Sequence, residues 1–275
     1  MIVIAVGYGV SWYLQSPAIL YGAVALAFGM NIYSFWQSGK LVVKMTGAKD
    51  ADPVQHRELI QMVENLSITA GLPMPRVMVV DDPAPNAFAT GRNPEHAVVA
   101  ATTGLLQMLD KNEIEGVMAH ELAHVGNRDM LVMTVAVVLA GFIAVVADIF
   151  SRALMFNGHS DNGRNPVFLV VGIVGIILAP IAAQIMQMAI SRKREYLADA
   201  TGALLTRYPE GLASALEKIS GYSRPMQKAS HATAHLFISD PFAGGKNSVW
   251  QKLGGLFQTH PPAAERIAKL RGMDI

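Results

Sequence analysis

The sequence predicts a mainly α-helical membrane protein with about four transmembrane helices and an α+β polar domain containing a small sheet. Three observations carry this. Hydrophobic residues make up 52% of the 275 and charged residues only 16%, against about 25% charged in an ordinary soluble domain. Residues 130–150 and 167–190 each supply the ~20 apolar residues that cross ~30 Å of hydrocarbon as a helix. The polar stretches around them alternate between helical and strand periodicity.

Taken in order, residues 1–14 are apolar but short. As a helix they reach ~21 Å, so they span only if Gln15 and Ser16 join them. They lack the basic start of a secretory signal, because the first basic residue is Lys40. Residues 18–36 form a second span, with Tyr21 near one end and Tyr33 and Trp36 at the other, where aromatic side chains favour the lipid–water interface. The third, 130–150, has one charge, Asp148, near its end. The fourth, 167–190, has none, and its Pro180 predicts a kink.

Basic residues set the sidedness. Lys40, Lys44 and Lys49 follow the second span and Arg192, Lys193 and Arg194 the fourth, while the loop between the third and fourth holds only Arg152 and Arg164. This places residues 37–129 and 191–275 in the cytoplasm. Two spans separate them, so they share one side and can build one domain. The expected layout is an N-terminal membrane hairpin (1–36), a first part of the polar domain (37–129), a membrane helix pair (130–190) and a second part (191–275). The expected location is the plasma membrane. A net charge of +1 gives no case for nucleic acid.

Within the polar regions, Asp52-Pro53 reads as a helix start, and Leu59, Ile60, Met62, Val63 and Leu66 carry the helical pattern to Ala70. Residues 76–80, 86–90 and 97–101 read as strands, with a turn at 81–85. A short helix over 103–109 precedes one capped by Asp110 or Asn112 that runs through His124. Helices are expected at 194–206, 209–220 and 263–271, with loops over 221–257.

The chemistry-bearing motif is His120-Glu121-Leu122-Ala123-His124. Residues four apart share a helix face, so the two imidazoles can hold one metal ion, with Glu121 beside them as a base. The chain has no cysteine, which leaves histidine and carboxylates as ligands. Ile114, Val117, Met118 and Leu122 give this helix an apolar face, so the motif is expected partly buried. A catalytic zinc needs a third protein ligand. Glu195 and Asp199, four apart after the fourth span, offer one: Glu195 on the metal and Asp199 accepting from the far nitrogen of a ligand histidine. The plainer alternative is a juxtamembrane cluster in which Arg192 or Lys193 pairs with Glu195. His231 and His235 are also four apart and make a rival metal pair, but without a glutamate between them.

HELAH, followed after two spans by SRKREYLADA, resembles the HtpX family of membrane-bound zinc metalloproteases, which are of gluzincin type and related to CAAX prenyl proteases. NAFATG at 86–91, VVAATTGLL at 98–106, ATAHLF at 232–237 and THPPAAERIAKLR at 259–271 match it as well. The resemblance implies a zincin-like protease domain that cleaves unfolded or damaged membrane proteins in quality control. It implies one zinc ion per chain, with His120, His124 and Glu195 as ligands and Glu121 as catalytic base. By the same resemblance Asn86, with Ala87 and Phe88, lies near an extended polypeptide substrate, and His235 lines the cleft. His260 and Arg266 match a histidine and arginine six apart in the CAAX enzymes, where they could stabilise the oxyanion. Two other functions fit parts of the pattern. A CAAX-type prenyl-protein endopeptidase would have more membrane segments. A zinc-binding membrane scaffold or transporter has no need for Glu121 between two ligands.

Overall fold

The structure is a computed structural model that describes residues 18, 21, 36–37, 39–131, 192–227, 233–242 and 261–274. The chain divides into two compact units, residues 1–37 with 135–186, and residues 38–134 with 187–275. The second unit holds nearly all the described residues and is the one followed below. The four expected spans fall almost wholly outside the described residues. Among those residues no helix is long and apolar enough to cross a membrane.

The unit has helical residues 39–46, a four-stranded sheet and six helices among the described residues. The strands are β1 (Lys49–Asp50), β2 (Arg76–Val80), β3 (Ala87–Thr90) and β4 (Val98–Thr102). The helices are α1 (Arg57–Ala70), α2 (Thr103–Met108), α3 (Lys111–Gly126), α4 (Arg192–Thr206), α5 (Pro209–Ser220) and α6 (Ala263–Arg271). The sheet order is β1-β2-β4-β3. β2 and β4 run parallel, with Val80 opposite Thr102, and β3 and β4 antiparallel, with Ala87 opposite Ala101. β3 is therefore an edge strand. Every residue of β3 and β4 is buried, so these strands read as continuous apolar runs rather than alternating ones.

Helix α1 starts at Arg57, not at Pro53 as expected. Asp52 explains the delay: its Oδ1 accepts from the N–H groups of Val54 and Gln55 and closes a separate turn first. The helix ends where Gly71 adopts φ 65°, the left-handed cap that glycine reaches at least cost. Leu59, Met62, Val63 and Leu66 fill one of its faces and are buried.

Helix α3 is the centre of the unit. Asp110 and Glu113 form a reciprocal capping box at its start. From Gly116 to Val125 every residue is buried, so the motif is enclosed on all sides rather than lying on a half-exposed face. Small residues permit this. A Cβ on Gly116 would lie 2.6 Å from the backbone nitrogen of Leu212 in α5, and one on Gly202 of α4 would lie 2.9 Å from that of His120. Both neighbours approach α3 at backbone distance. Val117, Met118, Leu122 and Val125 complete the core against α1 and α5, and each fully buried aliphatic side chain contributes roughly 1.5–3 kcal/mol.

Candidate metal centre

The close approach at Gly202 sets the register of α4 on α3. Glu195 and Asp199 lie on the same stripe as Gly202, seven and three residues before it, so this contact turns both carboxylates toward the histidines. Nε2 of His120 and Nε2 of His124 are 3.2 Å apart, with the rings edge to face at 86°. Glu195 Oε1 lies 3.6 Å from His124 Nε2, and Oε2 lies 3.8 Å from His120 Nε2. One ligand atom from each of the three residues falls within 4.8 Å of the others. All three residues are buried.

The outer nitrogens face carboxylates. Nδ1 of His120 is 3.0 Å from Asp199 Oδ1, and Nδ1 of His124 is 3.2 Å from Asp129 Oδ2. Carboxylates only accept, so each ring in its neutral form carries its proton on Nδ1 and turns a bare Nε2 inward. Two lone pairs and a carboxylate then converge on one point, an arrangement that a shared cation satisfies. The spacing fits. Ligands ~2.0–2.1 Å from a tetrahedral ion stand about 3.3 Å from one another, close to the 3.2 Å between the two imidazole nitrogens.

Arg266 lies inside this cluster rather than on an open surface. Its Nε and Nη2 donate to Asp199 at 2.9 and 2.6 Å, and Nη1 is 3.8 Å from Glu195 Oε2. The arginine thus acts first on Asp199. Burial pushes the Asp199 carboxyl up, but the Arg266 charge and the His120 and Arg266 hydrogen bonds outweigh it and hold the group at about 2. Burial, with the charges of Arg266 and His124, brings His120 down to about 4 against the pull of Asp199. Burial also lowers His124, but the Asp129 hydrogen bond and the charges of Glu195 and Glu121 prevail and raise it to about 9. Glu121 goes the other way. Burial and the nearby Glu195 charge raise it to about 7, although the Ala89 N–H of β3 donates to its carboxylate.

That last bond joins the motif to the edge strand. On the outer side of β3, Ala87 O accepts from the Ile238 N–H at 3.0 Å, Phe88 bridges to Phe237, and their rings meet edge to face at 5.3 Å. The Asn86 carboxamide is buried, donating to Ser239 O at 3.0 Å and accepting from Ser239 N at 3.2 Å. Asn86 therefore anchors the 237–239 segment along the strand edge. His235 lies in the short helical turn Ala234–Leu236 beside it, and its side chain is outside the described residues, as are His231 and His260.

Sequence reasoning grouped His120, His124, Glu195 and Asp199, set Arg266 with His260 rather than on Asp199, and missed Asp129. A left-handed residue, Arg128 at φ 58°, follows α3 and swings Asp129 back under His124. Nothing in the five-residue motif announces that turn.

Comparison with known proteins accords with this geometry. The model of peptidase family M48 matches residues 53–274. A protein named Protease HtpX homolog from Caldanaerobacter subterraneus is 44% identical over 100% of this chain and 92% of its own length. Proteins of the same name from Tropheryma whipplei and Burkholderia mallei are 50% and 48% identical. They cover 90% and 91% of this chain, and 83% and 86% of their own lengths. The crystal structure of S. mikatae Ste24p shares the fold, with a TM-score of 0.55 over 98% of this chain and 62% of that one at 18% identity. Buried histidines and carboxylates converging from α3 and α4, a family match spanning both helices, and relatives alike over nearly their whole length agree: this chain belongs to peptidase family M48, in its HtpX group, and is a metalloprotease.

Proposed function

We propose that the chain is an integral-membrane zinc endopeptidase whose cytoplasmic domain cleaves unfolded or damaged membrane proteins. The observation that carries the reading is the convergence of His120 Nε2, His124 Nε2 and Glu195 within 4.8 Å. Two imidazoles and one carboxylate, with no cysteine in the chain, are the donor set of a catalytic zinc that keeps a fourth position open. When bound, the ion supplies Lewis-acid polarisation of water and of the scissile carbonyl.

The chain's own residues do the rest. Glu121, raised to about 7, takes a proton from the attacking water and delivers it to the leaving amine; a base with a pKa near the working pH does both well. Asp199, clamped by Arg266, holds His120 in the binding tautomer. Arg266 also adds positive charge beside Glu195, and His260 is its proposed companion near the developing oxyanion. An extended substrate lies near Asn86, Ala87, Phe88 and His235; segment 237–239 holds the Ala87 and Phe88 edge here, so main-chain hydrogen bonds between that edge and a substrate require the segment to move aside. The membrane layout follows from the four apolar stretches: a hairpin over 1–36 and a helix pair over 130–190, with 37–129 and 191–275 joined into the protease domain.

Cleavage of a casein-type substrate by detergent-purified protein tests this. A chelator should abolish cleavage, and added zinc should restore it. Full activity after exhaustive chelation would rule the reading out.

A further inference from the structure

His124 is braced from behind by a two-ended carboxylate. Asp129 Oδ2 lies 3.2 Å from His124 Nδ1, while its other oxygen, Oδ1, accepts from Arg194 Nη1 at 3.4 Å. Asp129 is buried, and the Arg194 side chain is about one-third exposed. Asp129 sits just beyond the end of α3 and Arg194 in the first turn of α4, 65 residues later. The pair therefore straddles residues 130–190 and meets at the metal centre.

We propose that Asp129, oriented by Arg194, is a positioning residue that fixes His124 in the tautomer able to bind the metal. This rests on the zinc reading above. A neutral imidazole carries one proton and binds metal through its bare nitrogen. An acceptor-only group at Nδ1 keeps the proton there and leaves Nε2 bare, facing His120 and Glu195. Asp129 and Arg194 then do for His124 what Asp199 and Arg266 do for His120, so each histidine has its own acid–arginine brace.

An isosteric amide separates positioning from packing. In Asp129→Asn, one end of the carboxamide faces Arg194, which only donates. The amide oxygen goes to that end, so the NH2 group turns on His124 Nδ1. Nδ1 must then accept, the ring proton moves to Nε2, and the ligand atom is blocked. Adding Arg194→Gln removes this constraint, because glutamine both donates and accepts, and the amide can flip. The second substitution should therefore rescue the first, whereas two purely structural lesions would be worse than one.

The test measures zinc affinity of the full chain in detergent by competition with a chromophoric chelator, with the ligand-field spectrum of the cobalt-loaded protein as a second readout. Asp129→Asn should weaken zinc binding ~10–100-fold. The Asp129→Asn/Arg194→Gln protein should recover most of that loss and a wild-type cobalt spectrum. Asp129→Ala aims no donor at Nδ1, so it should bind zinc more tightly than Asp129→Asn, with circular dichroism of each variant checking that both are folded. Wild-type affinity in Asp129→Asn, or a double variant no better than the single, overturns the inference. A wild-type chain that takes up no zinc would instead sink the metal reading and this inference together.

Discussion

Glu113 and Glu121 lie two turns apart on α3, both buried, and their surroundings give them opposite properties. Glu113 faces α5. Lys218 Nζ is 2.6 Å from its Oε1, Ser214 Oγ donates to it, and the Asp110 N–H donates at 2.8 Å. Burial pushes this carboxyl up, but these partners outweigh burial and hold it below the usual glutamate range. Glu121 faces the metal centre. There burial dominates, the Glu195 charge adds to it, and the group rises to about 7. A carboxylate buried with a hydrogen-bonded cation is held low; one whose burial, helped by the Glu195 charge, outweighs the His124 and Arg266 charges rises toward neutral pH. One helix carries both, its start for stability and its end for chemistry.

Substitution at Glu121 should show the larger effect. Glu121→Gln is expected to cut kcat by ~10²–10⁴-fold while leaving the melting temperature unchanged or higher, since a neutral amide replaces a buried carboxyl. Activity within threefold of wild type would end the contrast between the two glutamates.

Gly202→Ala comes next, because its new methyl would meet the His120 backbone at 2.9 Å. Overpacking of this kind costs ~1–3 kcal/mol, and here it also pushes the Glu195–Asp199 stripe off the histidines. A combined fall in melting temperature and zinc affinity is expected. Loss of stability with zinc affinity intact would mean that α4 does not set the ligand geometry.

Glu113→Gln should give the smallest change, about 1 kcal/mol of stability, because half-exposed Lys218 is partly screened by water, with no change in kcat. Its pH dependence has a definite sign. A carboxyl whose folded pKa is depressed stabilises fully above its unfolded value, ~4.3, and loses that contribution as pH falls through the lower folded value. The melting-temperature gap between wild type and Glu113→Gln should therefore close between roughly pH 5 and 3. A gap that widens on acidification would show that the depressed carboxyl is elsewhere.

Local patterns were the legible part of this chain. Pro209 opens α5, Asp110 opens α3, and the four-residue spacing of His120 and His124 marks a metal pair, whereas the family resemblance, and not the spacing from Asp199, singles out Glu195 as third ligand. What the sequence withheld depends on contacts between distant segments or on backbone geometry. The Asn86 carboxamide is taken by Ser239, 153 residues away. The Asp129 contact needs a left-handed turn at Arg128, which arginine does not advertise. The enclosure of α3 over residues 116–125 was hidden too, because His120, Glu121 and His124 are polar by type, and the close approach of neighbouring helices at Gly116 and Gly202 explains how they are buried.

The central claim is that α3 and α4 jointly hold one zinc and that Glu121 stands beside it without holding it. Zinc counted per chain in wild type, Glu121→Gln and Glu195→Gln tests this directly. About one ion in wild type and Glu121→Gln, with most of it lost from Glu195→Gln, is the expected result. A Glu195→Gln protein that keeps its zinc and still cleaves would contradict the account, reducing Glu195 to a buried partner of Arg266 and leaving the third ligand to another residue.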